Sequence, residues 1–354
     1  MFPFLCTIIS ILLYWKVPKE KRSWVLIFSS LLILSWWDLT STTWAVFLSV
    51  FTWVSAQRWK TPLIIGLLLL QLILVKTLLP ISPLGLSFTT LCLIHYIIAQ
   101  KRRKLPPHSF PQYLSWVYFF PIFSAGPIER FDHFLAEQSN TPNWLEGSRR
   151  LIFGILKKWI LVEWLLGSWM AGSLLEELSF VELWSILVIL FLKLYLDFSA
   201  YCDLALGIAH FFGFSIAENF NFPFLSQNIS DFWKRWHISL SLWCQEYIYL
   251  PLLGITRNPY LSILITFLLM GLWHDVSLQW TFWGLWHGFG LMIHIKWKRF
   301  SRAFIWKETW WWKGFSILLT ILFVSLTGVF TQINDVADIQ RSLELFGQAF
   351  GVIW

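Results

Sequence analysis

Three of the eight histidines in this chain carry the chemistry most easily read from its sequence. His274 and His287 each end a Gly-Leu-Trp-His string within "FLLMGLWHDVSLQWTFWGLWHG". His237 lies in "SDFWKRWHISLSLW", among cations and hydroxyls. A neutral imidazole takes a proton from a hydroxyl near neutral pH, so each of the three is a candidate general base. On one continuous helix, His274 and His287 would point about 220° apart. If residues 275–279 form a hairpin tip, the two could instead face each other across a helix pair. Residue type and spacing do not choose among the three.

Other chemistries find less support. The three histidines form no HxxxH or HxxH pair, and Asp275 beside His274 points elsewhere on a helix, so a catalytic metal is not expected. No GxSxG string marks a serine nucleophile. Four scattered cysteines (Cys6, Cys92, Cys202 and Cys244) suggest neither a disulfide framework nor a zinc site. The remaining polar residues in apolar runs have structural readings. Lys193 and Asp197, four apart, are expected to pair on one helical face. Asp203 is expected to cap or hydrogen-bond a neighbouring element. Lys157, Lys158 and Glu163 read as snorkelling groups or a polar stripe at spacing five or six. His95, His210 and His294 read as satisfied buried histidines, and His108 and His133 as loop or interfacial residues.

The elements that must position these groups are membrane helices. Of 354 residues, 57% are hydrophobic and 13% charged, against about 25% charged in a soluble domain. Stretches such as 77–100, 276–295 and 314–333 hold twenty or more residues without Asp, Glu, Lys or Arg. About ten membrane segments are expected, at about 20 apolar residues per crossing helix. The net charge of +7 sits in short loops between apolar runs. That pattern reads as topology, not as a nucleic-acid surface. Basic loops at 16–22, 101–104, Arg257 and 296–299 face the cytoplasm on this reading, which puts the N-terminus outside. His274 then lies toward the outer face and His237 nearer the cytoplasm. An uncharged turn is expected over 80–83. The first fifteen residues read as a retained helix, lacking a basic region and a cleavage site. Two stretches, 110–134 and 227–251, are broken by Pro, Trp and charge. They are expected to be re-entrant or interfacial segments lining a cavity. Most of the 26 tryptophans read as interfacial belts.

The stretch 192–253 resembles the membrane-bound O-acyltransferases, in particular the bacterial branch with alginate O-acetyltransferase and teichoic-acid D-alanyl transferase. "YLDFSAYCDLALG" is similar to that branch's Y-x-DFSGY-x-D block, matching at Asp197, Phe198, Ser199, Tyr201, Asp203 and Gly207, with Ala200 for the usual glycine. "AENFNFPFLSQNISDFWKRWHISLSLW" resembles its ENFN-x-P and FWRRWHISLS-x-W strings, through Glu218, Asn219, Asn221, Pro223, Trp233, Arg235, Trp236 and His237. "YIYLPLLG", "LPISPLGLSF" and "FFPIFSAGPIERF" are similar to further strings of the branch. The resemblance covers residues 80–295.

The resemblance implies an all-α fold: about ten transmembrane helices, with re-entrant or interfacial helices around a central tunnel, as one domain over residues 1–354. It implies His274 as the catalytic residue of the "MGLWHG" string, with Asp275 departing from the usual glycine, and His287 as packing or cavity lining. His237 would orient or polarise the donor carbonyl. Asn219, Asn221, Trp233, Arg235, Trp236, Trp273 and Asp197 are the implied substrate-binding residues. Arg235, Lys234 and Arg130 are candidates for attracting the donor's phosphate. The implied reaction moves an acyl group, acetyl first and D-alanyl second, from a cytoplasmic thioester to hydroxyls of an exported polysaccharide. The thioester would be acetyl-CoA or an acyl carrier protein. A bacterial inner-membrane location, contact with membrane lipid and an accessory periplasmic or carrier protein are expected with it. Nucleic acid and a metal are not.

Overall fold

Apolar runs in hydrocarbon become helices because a helix satisfies its own backbone hydrogen bonds. A computed structural model of the chain describes residues 2–78, 83–167, 178–301, 309–331 and 339–351. Among these residues the regular structure is helical, with a single isolated bridge between Gln138 and Phe214. Four stretches are long and apolar enough to cross a bilayer: Leu39–Arg58, Thr61–Leu78, Phe180–Phe211 and Trp310–Thr331. Phe2–Lys16 and Pro259–His274 are apolar but shorter. This is the helix set of a polytopic membrane protein, and among the described residues ten full-length spans do not emerge. A sixteen-residue helix such as Pro259–His274 reaches about 24 Å, against a hydrocarbon core of about 30 Å. Caps and prolines cut several apolar runs to that length. Residues 80–82 of the expected turn lie outside the described residues.

The chain divides into two compact units, Met1–Ile155 with Ala200–Ala217, and Leu156–Ser199 with Glu218–Trp354. The first unit opens with α1 (Phe2–Lys16), α2 (Arg22–Trp37), α3 (Leu39–Arg58), α4 (Thr61–Leu78) and α5 (Leu86–Lys101). The stretch expected to be broken is broken. It forms α6 (Phe110–Val117), α7 (Phe120–Phe123) and α8 (Phe131–Ala136), followed by α9 (Trp144–Ile155). Its aromatic side chains fill the unit's core, where Phe134 stacks on Phe214 at 4.2 Å and Tyr96 meets Tyr113 at 4.5 Å. Some of the buried polar groups there are paired across elements. Arg150 on α9 meets Asp203 at 2.8 Å, the neighbouring-element bond expected of that aspartate. His95 Nε2 accepts the Phe131 backbone N–H at 3.2 Å.

The second unit begins with a π-helical stretch, Leu156–Leu166. A π-turn brings residues five apart into register, so Lys158 meets Glu163 at 3.1 Å. The helix α10 (Phe180–Phe211) supplies its Phe180–Ser199 portion. Short helices α11 (Ile229–Phe232), α12 (Ile238–Cys244) and α13 (Leu250–Thr256) follow. Then come α14 (Pro259–His274), α15 (Leu278–Phe300), α16 (Trp310–Ser325), α17 (Gly328–Thr331) and α18 (Ile339–Gln348). Asn258 starts α14 by accepting the N–H groups of Tyr260 and Leu261, and Ser277 starts α15 by accepting that of Trp280. The Ser277 cap shortens the hairpin tip to residues 275–277. A core of Leu183, Leu187, Leu326, Val329, Phe330 and Leu345 joins α10, α16–α17 and α18.

Candidate active site

The two Gly-Leu-Trp-His strings lie on opposite arms of the α14–α15 hairpin, so the single-helix alternative is excluded. Their glycines let the arms touch. A Cβ added to Gly271 would strike the Trp280 carbonyl, and one added to Gly284 would strike the Phe267 carbonyl. Gly284 and Gly288 make a small-xxx-small face, the usual means of close helix approach in a bilayer. Each histidine follows its glycine by three residues, nearly on the same helical face.

The two imidazoles are held differently. His274 is half-buried and stacks on Trp280 at 4.4 Å with an 18° interplanar angle. Trp273 and Trp283 meet it edge-on at 4.7 and 5.5 Å. His287 is fully buried, packed on Trp283 at 4.7 Å and against Trp233 at 5.2 Å. Asp275, after His274, has φ −158°, extended backbone open to any residue, so its position makes no demand for glycine.

His237 comes from the other motif block. It is buried and precedes α12 with φ 43°, a left-handed conformation uncommon outside glycine and found often at functional sites. Its Nδ1 lies 3.3 Å from Asn219 Oδ1. The same oxygen accepts the Ser239 backbone N–H at 3.1 Å and its hydroxyl at 2.7 Å. A backbone N–H only donates, which fixes that atom as the amide oxygen. His237 therefore donates from Nδ1, and in the neutral ring Nε2 is an acceptor. Phe198 meets the ring edge-on at 4.9 Å.

His237, His274 and His287 line one cavity of about 210 Å³. Trp233 and Trp236 from the motif block also line it, with Phe198, Trp280, Trp283 and Ser325. Of the other residues singled out from sequence, Asn219 acts behind His237, and Trp273 touches His274. Asn221, Arg235 and Asp197 are not among the lining residues. Arg235 is engaged by Asp231 at 3.0 Å and by the Asn221 carbonyl at 3.3 Å. Asp197 meets Lys158 at 2.7 Å, which corrects the expected Lys193 pairing. The π-helix carries Lys158 to it, and Lys157 next to it reaches Ser199 at 3.2 Å. Sequence reading passed over Ser325, Trp280 and Trp283. Ser325 follows an unbroken apolar run and gives no local signal, whereas the two tryptophans sit beside the second Gly-Leu-Trp-His string.

The model of the membrane-bound O-acyltransferase family matches residues 1–331. A probable alginate O-acetylase of Pseudomonas aeruginosa is 36% identical over 219 residues, covering 60% of this chain and 42% of that protein. A peptidoglycan O-acetyltransferase of Helicobacter pylori is 31% identical over 305 residues, 76% of this chain and 57% of the relative. A teichoic acid D-alanyltransferase of Bacillus subtilis is 28% identical over 271 residues, 69% and 67% respectively. Against the alginate O-acetylases matched, the chain spans from 42% to 67% of the relative's length.

Proposed function

This chain belongs to the membrane-bound O-acyltransferase family, and we propose that its histidine-lined cavity moves a short acyl group, acetyl first, from a cytoplasmic thioester to hydroxyls of an exported polysaccharide. The observation that carries this reading is the presence of His237 and His274 on one cavity. Two relatives bear the names of O-acetylating enzymes acting on alginate and peptidoglycan, which favours acetyl transfer to a polymer. A volume of about 210 Å³ is below the roughly 300–1,000 Å³ of sites that enclose a drug-sized ligand. It suits the reacting ends of donor and acceptor, not either molecule whole.

His274 accepts the proton of the acceptor hydroxyl. The freed oxygen adds to the thioester carbonyl, the carbon–sulfur bond breaks, and the proton passes from His274 to the departing sulfur. Alignment of the two reactants supplies much of the acceleration. The Nδ1–H tautomer of His237 changes the role expected from sequence. A neutral ring accepts at Nε2, so His237 orients the acceptor hydroxyl or a donor amide N–H and does not polarise the carbonyl. Lys234, exposed beside the Asp231-bound Arg235, is the stronger candidate for attracting a phosphate of acetyl-CoA or of an acyl carrier protein. An inner-membrane setting in a bacterium, with an accessory periplasmic or carrier protein, belongs to the same reading.

The test is mild alkaline release of small acids from envelope and exported glycans. Cells carry wild-type protein or His274→Ala at matched membrane levels. Acetate released with wild type and lost with the variant is the expected result. D-alanine in its place would transfer the mechanism to teichoic acid. Equal release from both would remove His274 as base and favour a silent relative that binds donor or polymer.

A further inference from the structure

Hydroxyls in these helices bond back to their own backbone. Thr320 donates to the Ser316 carbonyl at 2.7 Å, Thr327 to Val324 at 2.7 Å, and Thr331 to Thr327 at 3.3 Å. Ser325, on the same segment, does not. It is 1% exposed, its Oγ has no hydrogen-bond partner among the described residues, and it lines the histidine cavity. Two more polar atoms of cavity-lining residues share that state, the indole Nε1 of Trp233 and Nδ1 of His287. Trp233 is 8% and His287 1% exposed, and their rings touch at 5.2 Å. Buried polar groups in folded proteins are nearly always paired, and a catalytic role is one of the few reasons for an exception. An indole N–H can only donate, and a serine hydroxyl donates after a turn about its own bond.

We propose that Ser325 Oγ–H and Trp233 Nε1–H hold the carbonyl oxygen of the acyl group, with His287 Nδ1 completing the set when it carries the ring proton. The proposal rests on the acyl-transfer reading above and supplies what that reading lacks. Addition of the acceptor oxygen pushes the carbonyl π electrons onto this oxygen, and the two donors meet the charge as it forms. When the carbon–sulfur bond breaks, the electrons return and the carbonyl is restored. Donors already in place within an apolar site contribute more than the same donors in water. Ser325 lies beyond the histidine motifs, on the Trp310–Thr331 segment after α15, so this assigns that segment a part in the reaction.

The experiment uses membranes carrying the full chain and the cells' own glycans, with acetyl-CoA as the donor probe and alkali-released acetate as the readout. Ser325→Ala and Trp233→Phe are each expected to lower the maximal rate about 100-fold, with the donor KM unchanged. Ser325→Cys, a weak donor, is expected to fall between. The purified Ser325→Ala protein is expected to have an unchanged or raised Tm, because the substitution removes an orphaned polar atom. Loss of activity together with a gain in stability is a signature that a packing role cannot produce. Wild-type rates in both variants, or a rate loss that follows a fall in Tm, would overturn the proposal. If wild type and His274→Ala release acetate alike, the acyl-transfer reading itself fails, whatever Ser325 does.

Discussion

The hairpin glycines give the sharpest test of how the site is built. In Gly284→Ala the new Cβ would stand 3.0 Å from the Phe267 carbonyl carbon and 3.2 Å from Leu268 Cα, and closer still to the Phe267 oxygen. In Gly271→Ala it would stand 3.1 Å from the Trp280 carbonyl carbon. Carbon contacts settle near 3.5–4.0 Å, so the two helices must part by roughly 0.5–1 Å. The atoms in the way are backbone, which cannot rotate aside. Overpacking of this kind costs about 1–3 kcal/mol, and the upper end applies here. Alanine returns up to about 1 kcal/mol in helix propensity, leaving a net loss of about 2 kcal/mol. Gly314 on α16 is the control, because among the described residues a Cβ there meets nothing within 4 Å. Its alanine variant is expected to be neutral or slightly stabilised. The assay is thermal unfolding of the three variants in one detergent, together with acyl release from membranes. A 1 Å displacement of His274 lowers the rate about 100-fold, so Gly271→Ala and Gly284→Ala should lose both stability and rate. If either matches Gly314→Ala in both, close approach of the arms is not what these glycines provide.

Two further outcomes follow from hydrogen bonding and charge. Asn219→Ala strips the acceptor from the Ser239 N–H and hydroxyl and from His237 Nδ1. It should cost about 3 kcal/mol of stability and lower the rate at least tenfold as His237 loses its fixed tautomer; wild-type Tm and rate would refute the assignment. Glu146, outside the candidate spans, is held at a pKa of about 2 by its bonds to Arg149 and then Arg150. A depressed carboxylate contributes stability that is complete above its unfolded pKa of about 4.3 and lost as pH falls through about 2. Wild type and Glu146→Gln should therefore differ in Tm at pH 6 and converge near pH 2, and a constant difference across that range would exclude the linkage.

Much of the candidate site was legible because its residues sit close together in the sequence. His237, Trp233, Trp236 and Asn219 fall within one block of 19 residues, and the structure gathers them around or behind one cavity. Arg235 and Asp197 belong to the same strings but are not among the cavity's lining residues, and they pair with Asp231 and Lys158. A motif states which residues travel together, not which of them point inward. The Lys193–Asp197 pairing failed for a related reason. It assumed that the nearest cation on the same helix wins, whereas the π-helix presents a lysine from another element. Ser325 had no local signal at all, since a serine in an apolar run is ordinary and only the missing back-bond marks it. The broken stretch 110–134 was legible from its prolines, but its role as an aromatic core depended on partners such as Phe212 and Phe214, distant in sequence.

The repeated Gly-Leu-Trp-His string now has a physical account that also separates its two histidines. In the antiparallel hairpin Gly271 lies against Trp280, and Gly284 lies against Phe267. Both contacts belong to one register, so each glycine makes the same kind of crossing from opposite arms. Moving three residues on from Gly271 leads toward the tip at residues 275–277, and moving three on from Gly284 leads away from it. His274 is therefore left half-buried near the tip, while His287 is sealed among Trp233, Trp283 and Phe323. On the proposed reading, a general base must meet a hydroxyl carried on a polymer far larger than the cavity. Of the two matching histidines, the one near the tip can be approached by such a chain. Identical sequence thus gives one half-buried imidazole near the tip and one fully buried imidazole packed among aromatic rings.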